Sequence, residues 1–226
     1  MLILVYNEDT NKIERYERTL GQPMPYVNNS WLTVKEFRGS SRSNILWTSK
    51  ATMRNFYTTR AKFGGGIYVG YAFKRIFEGG HSGQSQHYAG GAFDTGQRWT
   101  YSKRKSLYNL AKKLNIWSYV EPISLTPTWV HFDKRASKSA CSSGGYPLLK
   151  LNSKNNYVMI LQDALNNMGR PLSIDGIFGN NTRNAVLNFQ RYYGLKVDGI
   201  VGCNTWKKIV SIANGMGKSN YTKYYG

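Results

Sequence analysis

Three histidines occur in the 226 residues, His81, His87 and His131, and Asp94 follows seven positions after His87. Imidazole and carboxylate together suit a zinc ion. A catalytic zinc keeps three protein ligands and leaves a fourth position for water, whose pKa it lowers toward about 7. A lone histidine is more often a surface or hydrogen-bonded core residue, but three near one carboxylate bring the metal reading level with that alternative. His81 stays open: a fourth ligand, a hydrogen-bond donor to the transition state or, best favoured, a plain loop residue.

These side chains need elements to hold them. His81 lies in a Gly/Ser-rich loop over 78–85, Asp94 ends a short apolar run from 91, and residues 129–133 (Trp-Val-His-Phe-Asp) read as a strand. Strand alternation puts His131 and Asp133 on one face. Residues 2–6 and 31–34 read as further strands. Residues 49–60 read as a helix, broken by Gly64–Gly66 from a strand over 67–73. Leu107, Leu110, Ala111 and Leu114 form a helical stripe. Strands and helices in no strict βαβ order predict an α+β domain over 1–135 with a small sheet. Tyr68, Tyr71, Phe73, Tyr88 and Trp99 could line a substrate groove, but their alternation favours core.

The second half contains a repeat: Asp175-Gly-Ile-Phe-Gly-Asn-Asn-Thr182 recurs as Asp198-Gly-Ile-Val-Gly-Cys-Asn-Thr205. Each copy reads as a turn opening a helix. Apolar stripes at Val158, Leu161 and Leu165, at Val186, Phe189 and Tyr193, and at Trp206, Ile209, Val210 and Ala213 predict an all-α three-helix bundle over 148–214. The small polar residues of 136–147 predict a flexible linker, and 215–226 a flexible tail.

Two resemblances rest on these motifs. Leu161-Gln162, the two Asp-Gly-Ile turns with Thr182 and Thr205-Trp206, Phe189-Gln190 and Gly194-Leu195 resemble the peptidoglycan-binding three-helix module, which implies attachment to the cell wall. Ser85-Gln-His87-Tyr-Ala-Gly-Gly-Ala-Phe-Asp94 resembles the Ser-x-His…Gly-x-Ala-x-Asp signature of D-Ala-D-Ala carboxypeptidase and L-Ala-D-Glu endopeptidase zinc enzymes, and Trp129-Val-His131 resembles their distal histidine strand. The resemblance implies an α+β fold with a small antiparallel sheet, one zinc per chain, and His87, Asp94 and His131 as its ligands. It implies that Ser85 and, more loosely, Arg75 hold substrate. That family often carries its general base three residues before the last histidine. Thr128 stands there and cannot accept a proton. Glu121 is the expected base and Asp133 the partner that orients His131, with the reverse assignment open. Glu121 would need the loop 122–128 to fold back over the metal.

The formal charge of +19, from 31 basic and 12 acidic residues, spreads over both halves and favours anionic partners such as wall polymers. It forms no dense basic run, so specific nucleic-acid binding is not expected. Cys141 and Cys203 are too few for a stapled scaffold and form either one bridge or two separate thiols. No apolar run reaches the roughly 18 residues of a membrane span. The opening Met-Leu-Ile-Leu-Val-Tyr is too short for a secretory leader. The expectation is a monomeric zinc peptidase of endolysin or spore-lysis type, made in the cytoplasm and reaching the wall by holin, lysis or sporulation-linked release. The alternative is a wall-binding structural protein on a degenerate peptidase domain.

Overall fold

Ile3, Leu4 and Val5 form a continuous apolar run, and in the computed structural model, which describes residues 1–28, 30–79 and 83–216, they are fully buried in β1 (Leu2–Asn7). A strand buried on both faces reads as such a run. β1 is central in a three-stranded sheet, antiparallel to β2 (Lys12–Glu17) and parallel to β3 (Ile45–Ser49). A second sheet is antiparallel, in the order β4 (Val69–Tyr71), β5 (Ala92–Thr95), β7 (Val130–Asp133), β6 (Tyr119–Val120). The expected single small sheet is therefore two.

Residues 31–34 are not a strand. Thr33 caps α1 (Val34–Arg38): its hydroxyl accepts from the Glu36 amide, and the Glu36 carboxylate accepts from the Thr33 amide. This is the Thr-x-x-Glu capping box, and it satisfies two donors that a helix start leaves open. α2 (Lys50–Phe63) starts on the Ser49 cap and stops at left-handed Gly64, and α3 (Tyr101–Leu114) starts on Thr100. One core gathers Leu4, Trp47, Phe56, Phe73, Phe93, Trp117 and Phe132 between the sheets and these helices.

The three later helices are α4 (Asn156–Asn167), α5 (Asn180–Tyr192) and α6 (Cys203–Met216). α4 departs from its expected one-sided stripe, because every residue in it is buried. One face packs on α5 and α6, with Leu161, Phe189 and Trp206 in a common core; Ile76, Phe77 and Tyr88 of the first domain enter that same core. A helix buried all round must be clothed on two sides. The two halves are therefore joined by packing. The Arg75 guanidinium and the Asp163 carboxylate, both fully buried, form a two-pronged ion pair across the joint.

The segment expected to be a loose linker is also packed. Tyr146 is fully buried, its amide donates to Gln84 Oε1 (2.6 Å) and its hydroxyl to the Ser85 carbonyl (2.7 Å). Cys141 is bonded to Cys203 at the start of α6. A large aromatic with a polar tip outweighs the small polar residues around it, since burying the ring is favourable once its hydroxyl finds a partner. α6 continues through Met216, past the expected start of the tail, and residues 217–226 lie outside the described residues.

Candidate metal centre

The site is a row across the antiparallel sheet. Tyr71 on β4 pairs with Asp94 on β5, and Asp94 pairs with His131 on β7. The Glu121 amide, just past β6, donates to the His131 carbonyl at 3.0 Å. Directly opposed residues share a sheet face, so Tyr71, Asp94, His131 and Glu121 project into one cleft. Phe93 and Phe132, one step along their strands, face the core on the other side. This register corrects the expectation for Glu121, which stands beside His131 without any folding back of 122–128.

His87 enters from a tight turn. The amides of Tyr88, Ala89 and Gly91 bond back to Ser85 and Gln86. Gly90 has φ +61°, and a Cβ there would lie 1.9 Å from the Trp47 carbonyl oxygen. Only glycine permits that approach. The Trp47 indole N–H donates to the Tyr88 carbonyl (2.8 Å) and the Thr48 hydroxyl to the Gly90 carbonyl (2.6 Å). The turn is thus bolted to β3, and His87 is fixed above the sheet.

His87, Asp94 and His131 each offer one ligand atom, and these atoms lie within 4.8 Å of one another. His87 Nδ1 sits 2.8 Å from the Ala72 carbonyl. A carbonyl only accepts, so Nδ1 donates to it, and Nε2, 3.3 Å from Asp94 Oδ2, is the nitrogen turned toward the other two ligand groups. His131 Nδ1 lies 2.7 Å from Asp94 Oδ1, and its Nε2 lies 3.1 Å from Asp133 Oδ2. Two nitrogens and one carboxylate oxygen, each imidazole braced through its other nitrogen, form a donor set that fits zinc with a position to spare.

Charge is balanced around these groups. Burial alone would raise the Asp94 carboxyl, but hydrogen bonds from His131 and His87 outweigh it and hold Asp94 well below the usual carboxylate range. Burial works downward on His131, yet its bonds to Asp133 and Asp94 push it up to about 9. Burial likewise keeps the Tyr71 phenol protonated, and its ring meets His87 edge-on at 4.9 Å.

Asp133 is fully buried and both its oxygens are engaged. Oδ1 accepts from the amide and Nε of Arg135, and Oδ2 from Arg135 Nη2 and His131. Asp133 therefore orients His131, and Glu121 is the carboxylate left facing the cleft. The cleft measures about 750 Å³ and is also lined by Tyr68, Ser85, Tyr119 and Trp129. Ser85 lines the cleft, and its hydroxyl accepts from the His87 amide at 3.3 Å. Arg75 does not: it is consumed by Asp163 beneath the cleft, which corrects its expected contact with substrate. Arg135, stacked 4.2 Å over the Tyr119 ring, is the cation that lines the cleft. Of the aromatics expected in the core, Phe73 and Tyr88 are there, whereas Tyr68 and Tyr71 line the cleft. His81 lies outside the described residues.

Comparison with known proteins bears on the C-terminal helices. Residues 154–209 match the family described as "Putative peptidoglycan binding domain". An uncharacterized protein in the bpoA1 3' region of Kitasatospora aureofaciens is 43% identical in a 74-residue alignment that covers 29% of this chain and 61% of that protein. A crystal structure of a peptidoglycan-binding protein from Clostridioides difficile, in complex with glutamine hydroxamate, is 34% identical over 31% of this chain and 44% of its own, with a TM-score of 0.30. The chain thus spans less than two thirds of either relative. The family match supports peptidoglycan binding by α4–α6, and no helix of the described residues is long and apolar enough to cross a membrane.

Proposed function

We propose that the protein is a zinc-dependent peptidase of peptidoglycan stem peptides, held on the wall by α4–α6. The observation that carries this reading is the row of Asp94 and His131 with His87 above it, every imidazole braced from behind. When bound, zinc would polarise a scissile carbonyl and acidify a water. His87 Nε2, Asp94 and His131 Nδ1 would hold it. Glu121 takes the proton of the attacking water and returns it to the departing amine. The Tyr71 phenol, kept protonated by burial, donates to oxygen charge developing on the carbonyl. Asp133 accepts from His131 Nε2 and fixes the ring with Nδ1 toward the metal position. Attachment through α4–α6 raises the effective concentration of stems at the cleft, so a weak anchor assists a weak catalytic unit.

Cell-wall suspensions treated with the zinc-loaded protein should clear, a chelator should stop the clearing, and His87→Ala should abolish it. Clearing that persists in His87→Ala would remove this site from the reaction. The second reading, a wall-binding protein without turnover, is favoured by exposed Thr128, outside the cleft where the resembling enzymes carry a base. It retains binding of walls and yields no clearing.

A further inference from the structure

The repeat builds two clefts of the same plan. In the first, Gln162 Nε2 donates to Asp175 Oδ1, the Ile177 carbonyl and the Thr182 hydroxyl, while its Oε1 accepts from the amides of Asp175 and Gly176. In the second, Gln190 makes the same five bonds, to Asp198, Ile200, Thr205 and the amides of Asp198 and Gly199. The internal bracing is identical, so any difference in use lies in what surrounds each glutamine.

The second cleft is taken up by the chain itself. Leu148 lines it, Leu149 and Val201 exchange backbone hydrogen bonds at 3.2 and 2.8 Å, and Cys203 on its wall is tied to Cys141. The Trp206 indole donates to the Pro147 carbonyl at 2.8 Å. About 520 Å³ remains. The first cleft has the matching backbone pairing, the Asn152 amide donating to the Phe178 carbonyl at 2.9 Å and the Phe178 amide to the Ser153 carbonyl at 2.8 Å, but no residue of 148–155 lines it, no disulfide ties its wall, and it measures about 970 Å³. Arg170, Ser173, Asn180, Asn181, Asn184 and Asn188 line it.

That lining selects a ligand. Each carboxamide offers both donors and an acceptor, which match the N–H and C=O of a peptide, and a guanidinium matches a carboxylate. No aromatic ring lines this cleft, so it offers no stacking platform for a sugar face. We infer that the first repeat cleft, and not the second, is the wall-binding site, and that it takes the peptide stem with its free carboxylate on Arg170, the glycan strand lying outside. This rests on the wall-anchoring reading above and names the part of the polymer it grips.

The test is a titration of the full chain, followed by the side-chain amide signals of its asparagines, with a synthetic stem pentapeptide and separately with a chitin tetrasaccharide. The pentapeptide should shift Asn180, Asn181 and Asn184, and Arg170→Ala should weaken that binding about tenfold or more. Asn184→Leu should weaken it too, while Asn204→Leu in the second cleft should leave it unchanged. Shifts produced by the tetrasaccharide instead, or confined to the second cleft or the metal centre, overturn the assignment. Sedimentation with insoluble wall separates the two claims. Wall binding kept by Arg170→Ala and Asn184→Leu overturns the cleft alone, whereas failure of the unaltered chain to sediment overturns the anchoring reading with it.

Discussion

Asp133 Oδ2 lies 3.1 Å from His131 Nε2, and the same carboxylate is clamped by Arg135, so the ring that faces Asp94 is held from behind by a charge that cannot turn away. Carboxylates behind ligating histidines typically govern metal affinity by 10–100-fold. Asp133→Asn should therefore weaken zinc binding by about that factor, measured by competition with a chromophoric chelator. Unchanged affinity would mean that Asp133 serves only the fold.

The metal-free centre stores a proton. His131 is raised from 6.5 to about 9, because its bonds to Asp133 and Asp94 overcome the downward effect of burial. The metal-free fold is thus stabilised fully below about pH 6.5 and loses this contribution as pH climbs through about 9. Zinc must displace that proton, so its affinity should rise about tenfold per pH unit up to about pH 9, with roughly one proton released per ion. Calorimetry in buffers of different ionisation heat measures the release, and a pH-independent affinity would contradict the arrangement.

Arg75 and Asp163 are both fully buried at the joint between the two halves. Removing one partner leaves a buried charge uncompensated, which costs about 3–5 kcal/mol. Asp163→Ala should lower the unfolding free energy by that amount, while the double change Arg75→Met with Asp163→Leu should recover most of it. Denaturant unfolding measures both, and a cost below about 1 kcal/mol for Asp163→Ala would show the joint to be open to water.

Cys141 and Cys203 are 62 residues apart, and closing a loop of that length should stabilise the chain by about 4 kcal/mol through the unfolded state. Cys141→Ser with Cys203→Ser should lower the melting temperature accordingly, and reductant should do the same to the unaltered protein. A melting temperature indifferent to reductant would contradict the bridge.

That His87, Asp94 and His131 meet within 4.8 Å agrees with what residue type together with the resemblance of 85–94 and 129–131 to zinc-enzyme motifs leads us to expect. The same holds for the paired Asp-Gly-Ile turns, whose glutamine-centred networks repeat bond for bond. Glu121 and Tyr71 were harder to place, since their positions come from register across four strands, which no local pattern encodes. Arg75 looked like a substrate ligand because nothing near it in sequence reveals that α4 will cover it. The available sign was Asp163, a single carboxylate within an otherwise uncharged helix, which needs a buried partner. Thr33-Val-Lys-Glu36 is a capping box whose signal competes with the Trp-Leu-Thr-Val run that resembles a strand, and the cap prevails.

The most direct measurement is mass spectrometry of purified muropeptides incubated with the zinc-loaded protein and with Glu121→Gln. The unaltered protein should yield fragment pairs whose masses sum to the parent plus one water, with a new free amine on one of them. Glu121→Gln should bind zinc equally and be slowed about 10²–10⁴-fold. Intact muropeptides after incubation with fully zinc-loaded protein would contradict the peptidase account and leave a wall-binding protein.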